Sequence, residues 1–161
     1  MKTIALIAIL FFSYSVWAQI TTWQPPESFA SERYYKVKVN GIPVPVFDTP
    51  IASYVVFDMQ GEAKVEVSTM YDVRWVDIRP LRWNLKPQYA GDNSFSFNLK
   101  EPANLSLELN GRIRQQPLFI FAGKPEMEKP SKTDKNVIWF EGGKLYKDVR
   151  LDLQDNQTVY I

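Results

Sequence analysis

The sequence predicts an all-β chain whose main body is an antiparallel β-sandwich. Three observations predict it. Apolar and polar residues alternate with a period of two through most of the chain after residue 18, the pattern of strands with one buried face. Turn-forming pairs, among them Asn40-Gly41, Gln60-Gly61 and Asn110-Gly111, separate these runs at short intervals. No long segment shows the three–four apolar spacing of an amphipathic helix.

The chain opens on a different pattern. Met1-Lys2 supplies a positive start, Ile4 to Phe12 is an unbroken apolar run, and Val16-Trp17-Ala18 fits a cleavage site, so residues 1–18 read as a secretory signal peptide. The apolar run is too short for a membrane span, which needs about 20 apolar residues. The expectation is an exported bacterial protein, periplasmic, cell-surface or extracellular, starting at Gln19 with no membrane span after cleavage.

The sandwich is assigned to residues 19–124. Tyr35, Val37 and Val39 alternate with Lys36 and Lys38, and Asn40-Gly41 is a two-residue hairpin turn, both positions of which need positive φ. Ile42, Val44 and Val46 follow, interrupted by Pro43 and Pro45. Proline donates nothing to a ladder, so this is an edge strand. Residues 51–58 form the next strand, then Ala63, Val65 and Val67 alternate with Lys64, Glu66 and Ser68. Residues 71–78 read as a strand that Arg79-Pro80 stops. Phe95, Phe97 and Leu99 make another, and Leu105, Leu107 and Leu109 lead into Asn110-Gly111, a second hairpin turn. Residues 118–122 (LFIFA) are apolar on both faces, as in a strand covered on both sides. Lys36 and Lys38 read as a solvated face that also discourages edge pairing.

The charged and proline-bearing run KPEMEKPSKTDK at 124–135 marks a linker, assigned to residues 125–136. Beyond it come Val137 to Phe140, Glu141-Gly142-Gly143, and short apolar pieces around Val149-Leu151-Leu153 and Thr158 to Ile161.

Composition excludes a good deal of chemistry. The 161 residues contain no cysteine and no histidine, which removes disulfides, thiol nucleophiles, thiolate or imidazole metal sites and serine–histidine triads. No cofactor and no metal is expected. A net charge of +1 provides no concentrated basic surface for nucleic acid. Hydrolysis of a glycoside by protein carboxyls needs two of them about 5–9.5 Å apart. Asp72 with Asp77, and Asp48 with Asp58, are the pairs the strands could bring together. Carboxylates at strand ends are usually turn formers, so no catalytic residue is assigned. Asp92-Asn93 and Asp152 with Asp155 lack the regular spacing of a calcium loop. Aromatic side chains offer more, because sugar rings pack their apolar faces on tryptophan and tyrosine. Trp83 and Tyr89 flank a non-alternating, proline-containing segment that reads as a surface loop, and they are the substrate-binding candidates. Trp75 and Trp139 read as core or junction residues.

The order of several segments carries a resemblance. VKVNG at 37–41, VPVF at 44–47, YVVFD at 54–58, VDIRPL at 76–81, FSFNLKEPANLSLELNG at 95–111 and PLFIFAGKPE at 117–126 follow one another, and VIWFEGGKLYKDVRLDLQDNQTVYI closes the chain at 137–161. Together they resemble the N-terminal β-sandwich domain, and the start of the β-helix, of polygalacturonase-like and dextranase-like bacterial glycoside hydrolases. The resemblance implies that residues 137–161 are the first strands of a truncated right-handed parallel β-helix. It also implies a C-terminal β-helix catalytic domain as partner, with polysaccharide as the substrate class. The asparagine–threonine–aspartate, paired-aspartate and glycine–histidine–glycine motifs of polygalacturonases are absent, and Arg112-Ile113-Arg114 only echoes their carboxylate-binding motif. The expectation is therefore a non-catalytic module that caps the β-helix and contacts substrate. The alternative is a stand-alone carbohydrate-binding or envelope adhesion module.

Overall fold

The computed structural model of the protein describes residues 19–24, 33–111 and 116–161; residues 1–18, read above as a signal peptide, and Arg112 to Arg114 lie outside the described residues. In chain order the strands are β1 (Gln19–Thr22), β2 (Tyr35–Val39), β3 (Ile42–Val44), β4 (Phe47–Asp48), β5 (Ser53–Gln60), β6 (Ala63–Thr69) and β7 (Val76–Arg79). They continue with β8 (Gln88–Tyr89), β9 (Ser94–Leu99), β10 (Asn104–Leu109), β11 (Leu118–Gly123), β12 (Val137–Trp139) and β13 (Thr158–Tyr160). The helical content of the described residues is one 3-10 turn, Leu81–Trp83. The fold is all-β.

Two sheets make the main body. One runs β1-β5-β11-β10-β7 with β4 also paired to β5, and the other runs β3-β2-β6-β9-β8. Their alternating residues form a single core. Val55, Phe57, Leu105, Leu107, Leu118 and Ile120 come from the first sheet, and Val37, Val39, Val65, Val67, Phe95 and Phe97 from the second. Burying each large apolar side chain is worth about 1.5–3 kcal/mol. The chain has no cysteine, so packing and ladder hydrogen bonds hold the body together.

Several details differ from the sequence reading, each for a local reason. The body is not wholly antiparallel, because β11 runs parallel to β5, from Leu118 beside Ser53 to Gly123 beside Asp58. The strand expected at 51–58 is displaced to Ser53–Gln60. Thr49 folds the preceding residues into a turn, with its hydroxyl bonded to the Ala52 carbonyl at 2.8 Å. The strand expected at 71–78 begins only at Val76. Both residues of Asn40-Gly41 take positive φ and join β2 to β3, which is an edge strand as the prolines require. Asn110 and Gly111 also take positive φ, yet the register of β10 on β11 (Leu107 opposite Leu118) excludes a two-residue hairpin. Asn110 instead serves residues 72–75. Lys36 and Lys38 are exposed, and β3 covers β2 at Lys38, its register reaching only Val37 to Val39.

Residues 118–122 are buried on one face alone. Leu118, Ile120 and Ala122 enter the core, whereas Phe119 is half-buried and Phe121 exposed on the outer face. Runs of apolar residues do not distinguish a strand covered twice from one that displays aromatics outward.

Beyond the body, β12 and β13 form a separate two-stranded sheet. They are parallel, and Val137, Ile138 and Trp139 each pair with a residue 21 positions later, Thr158, Val159 and Tyr160. Parallel strands need a long connection, and residues 140–157 supply it here. Trp139 and Tyr160 stack in register, ring centroids 4.3 Å apart. The apolar pieces at Val149, Leu151 and Leu153 form no strand and are exposed.

Candidate functional site

The segment carrying Trp83 and Tyr89 leaves β7 on the edge of one sheet and enters β8 on the edge of the other. Leu81 to Trp83 make the 3-10 turn, ended by Asn84 in the left-handed conformation, whose N–H donates to the Leu81 carbonyl at 3.0 Å. Trp83 is half-buried and packs with Leu85 on the core. Tyr89 belongs to a short strand rather than a loop, opposite Phe95, and is 48% exposed. Its hydroxyl oxygen accepts the Val76 N–H at 3.1 Å, tying the two sheet edges together. Among the described residues neither ring stacks on another aromatic ring, and the two form no joint platform.

Asp48 and Asp58 lie apart. Asp48 pairs with Ser53 at the start of β5, and Asp58 lies five residues further along that strand, about 17 Å away and on the opposite face. Asp48 accepts the Ser53 hydroxyl through Oδ1, while Oδ2 is buried without a hydrogen-bond partner. Asp77 stands opposite Glu108 rather than Asp72, and Arg79 holds Glu108 at 3.2 Å. Asp92 and Asn93 bond through their main-chain carbonyls, to the N–H groups of Val73 and Thr69. Asp152 is fully outside, 3.6 Å from Arg150.

Two features escaped the sequence reading. Asn110 lies beyond the end of β10 and organises a neighbouring segment. Its Oδ1 accepts the N–H groups of Arg74 (2.8 Å) and Trp75 (3.3 Å), and its Nδ2 donates to the Asp72 carbonyl at 2.7 Å. Trp75 thereby lies across Gly111 and is 47% exposed. The second feature is a row of aromatics on the outer face of the β5–β11 sheet. Phe47 stacks on Tyr54 at 4.8 Å, Tyr54 meets Phe121 edge-on at 6.3 Å, and Phe121 lies 6.4 Å from Phe119. Beside them is an open groove of about 640 Å³, with Arg79, Leu81, Asn104 and Ser106 on its other walls. The alternation Leu118-Phe119-Ile120-Phe121 carried the signal, once one face of the strand is taken as core.

The described residues form a two-sheet body and a separate parallel pair, β12 and β13. A solved structure of similar fold is Dex49A from Penicillium minioluteum. The superposition has a TM-score of 0.58 at 13% sequence identity, covering 75% of this chain and 34% of Dex49A. The chain thus spans about a third of the length of Dex49A, and at this identity the likeness is one of fold. Seven solved chains match in all. No family model and no curated protein matches the sequence.

Proposed function

We propose that this chain is a non-catalytic N-terminal module of an exported, polysaccharide-degrading glycoside hydrolase of the polygalacturonase or dextranase type, bearing the first turn of the β-helix it caps. The observation that carries the reading is the parallel register of β12 on β13 at a 21-residue offset, with Trp139 stacked on Tyr160, next to a sandwich. A solenoid coil buries little by itself, and an uncovered terminal coil presents unpaired backbone and apolar side chains. A sandwich fused to the first coil covers that end. The other side of this coil holds an open concavity of about 440 Å³ whose walls include Phe140, Val149, Leu151, Val159 and Ile161, a surface suited to a further coil. The fold shared with Dex49A supports a glycoside-hydrolase-related architecture.

The reading expects no release of reducing ends from dextran, polygalacturonate or aryl glycosides by this chain. Turnover that disappears in Asp77→Asn or Glu108→Gln would contradict it. Reading the coding sequence beyond Ile161 checks the partner: in-frame glycine-rich coils support the β-helix.

The alternative, a stand-alone carbohydrate-binding module, draws on one observation, the outward row Phe47, Tyr54, Phe119 and Phe121. Flat rings beside polar groups suit the apolar faces of sugars. Retardation in gels containing soluble dextran or pectin, lost in Phe121→Ser, distinguishes this reading.

A further inference from the structure

The outer side of β7 and β10, at the edge of the first sheet, carries aromatic side chains at both ends and charge between them. Val76 and Ile78 point into the core, so Asp77 and Arg79 point out, and the same alternation carries Trp75 to the outside. The indole lies against Gly111, just beyond the end of β10, with Cζ2 3.4 Å from where a Cβ on that glycine would stand. Asn110 fixes the Trp75 main chain twice. Its Oδ1 accepts the Trp75 N–H at 3.3 Å, and its own N–H donates to the Trp75 carbonyl at 3.0 Å. An indole that is 47% exposed is thus set on a braced main chain. Asn104, six residues from Asn110 and roughly 20 Å away along β10, stands opposite Phe121. There the groove of about 640 Å³ opens between Leu81, Phe119 and Phe121.

Between these ends Asp77 lies directly opposite Glu108, and Arg79 opposite Ser106. Like charges facing each other across a ladder are destabilising. Arg79 offsets one of them, its Nε 3.2 Å from Glu108. Two carboxylates against one guanidinium leave the middle of the strip acidic. Asp72 and Arg74, both exposed in the stretch before Trp75, carry opposite charges and do not alter that balance.

We propose that this strip binds a neutral polysaccharide chain, with Trp75 and the Phe119–Phe121 pair stacking on sugar rings at its two ends and Asp77, Glu108 and Ser106 taking hydroxyls between them. The proposal deepens the reading of the chain as part of a polysaccharide-degrading enzyme and rests on it for the class of ligand. A sugar ring packs its apolar C–H face on a flat aromatic and carries hydroxyls that donate to carboxylates. A hydroxyl satisfies a carboxylate without adding charge, so the facing Asp77 and Glu108 suit a neutral chain. A polyuronate would set its own carboxylates against them, and like charge suppresses that docking. The bracing of Trp75 by Asn110 and Gly111 also lowers the ordering cost of binding.

Affinity electrophoresis of the full chain at low ionic strength, in gels containing dextran, hydroxyethylcellulose or polygalacturonate, tests the strip. Retardation is expected from at least one of the two neutral polymers and none from polygalacturonate. Trp75→Ala is expected to weaken the neutral interaction about tenfold, the loss typical of an aromatic anchor, while Trp75→Tyr retains most of it. Phe121→Ser, on β11 at the far end of the strip, is expected to weaken it as well, which decides the matter if Trp75→Ala disturbs the Asn110 turn. Three results would overturn the proposal: no retardation by either neutral polymer, retardation that survives both Trp75→Ala and Phe121→Ser, or retardation by polygalacturonate as strong as by the neutral polymers. None of them bears on the capping reading, which the coding sequence beyond Ile161 tests separately.

Discussion

At Asn110 one half-buried side chain stands in for a strand partner. Its three bonds satisfy main-chain groups of Asp72, Arg74 and Trp75, in a stretch that lies outside the ladder of β7. Asn110→Ala is expected to cost about 1–3 kcal/mol, because it strands those groups and puts a Cβ-bearing residue without a local bond at φ 56°. Asn110→Gly keeps the backbone conformation and should cost less; urea unfolding of both variants checks the order. Tyr35 is a second such residue, 1% exposed, with its hydroxyl bonded to the Gln116 carbonyl at 2.5 Å. Burial, then the neighbouring Tyr71 and Asp48, push its phenol well above the usual value. A raised phenol contributes its stability in full below about pH 10, where the unfolded tyrosine begins to ionise, and loses it above. Alkaline unfolding followed by circular dichroism should be less steep in Tyr35→Phe than in the parent, and equal steepness would contradict this.

Among the elements, β10 and β11 form the spine of the first sheet, each paired on both sides. Leu107 is completely buried at their centre, and Leu107→Ala is expected to destabilise by about 2–5 kcal/mol through lost burial and the cavity left behind. Strands whose polar residues alternate strictly, such as β2, β6 and β9, were legible in the sequence because the alternation itself marks the buried face. What was not legible depended on contacts distant in sequence. The parallel pairing of β11 with β5 joins residues more than sixty positions apart, and no local pattern encodes its direction. The loss of strand at 71–75 follows from Asn110, and a reading of Asn110-Gly111 as a hairpin turn concealed that partner. The candidates Trp83 and Tyr89 were read as flanking a surface loop, whereas Tyr89 lies in β8. Their separation, one packed on the core and the other spanning two sheet edges, arises from the 3-10 turn and from β8, which are too short to leave a periodic signal.

On the scale of the whole molecule, the sandwich has its own closed core, and the coil is attached through Glu126 and Lys129. A variant lacking residues 137–161 is expected to unfold cooperatively, with a loss of stability small beside the total; collapse of the sandwich on that deletion would show that its core extends into the coil. The central proposal is that residues 137–161 wind as one turn of a parallel solenoid. The most direct measurement is the set of interstrand nuclear Overhauser contacts in the isotope-labelled chain. The account predicts backbone contacts pairing Val137 with Thr158, Ile138 with Val159 and Trp139 with Tyr160 in parallel register. Antiparallel contacts between these segments, or contacts that add β13 to either sheet of the sandwich, would contradict it.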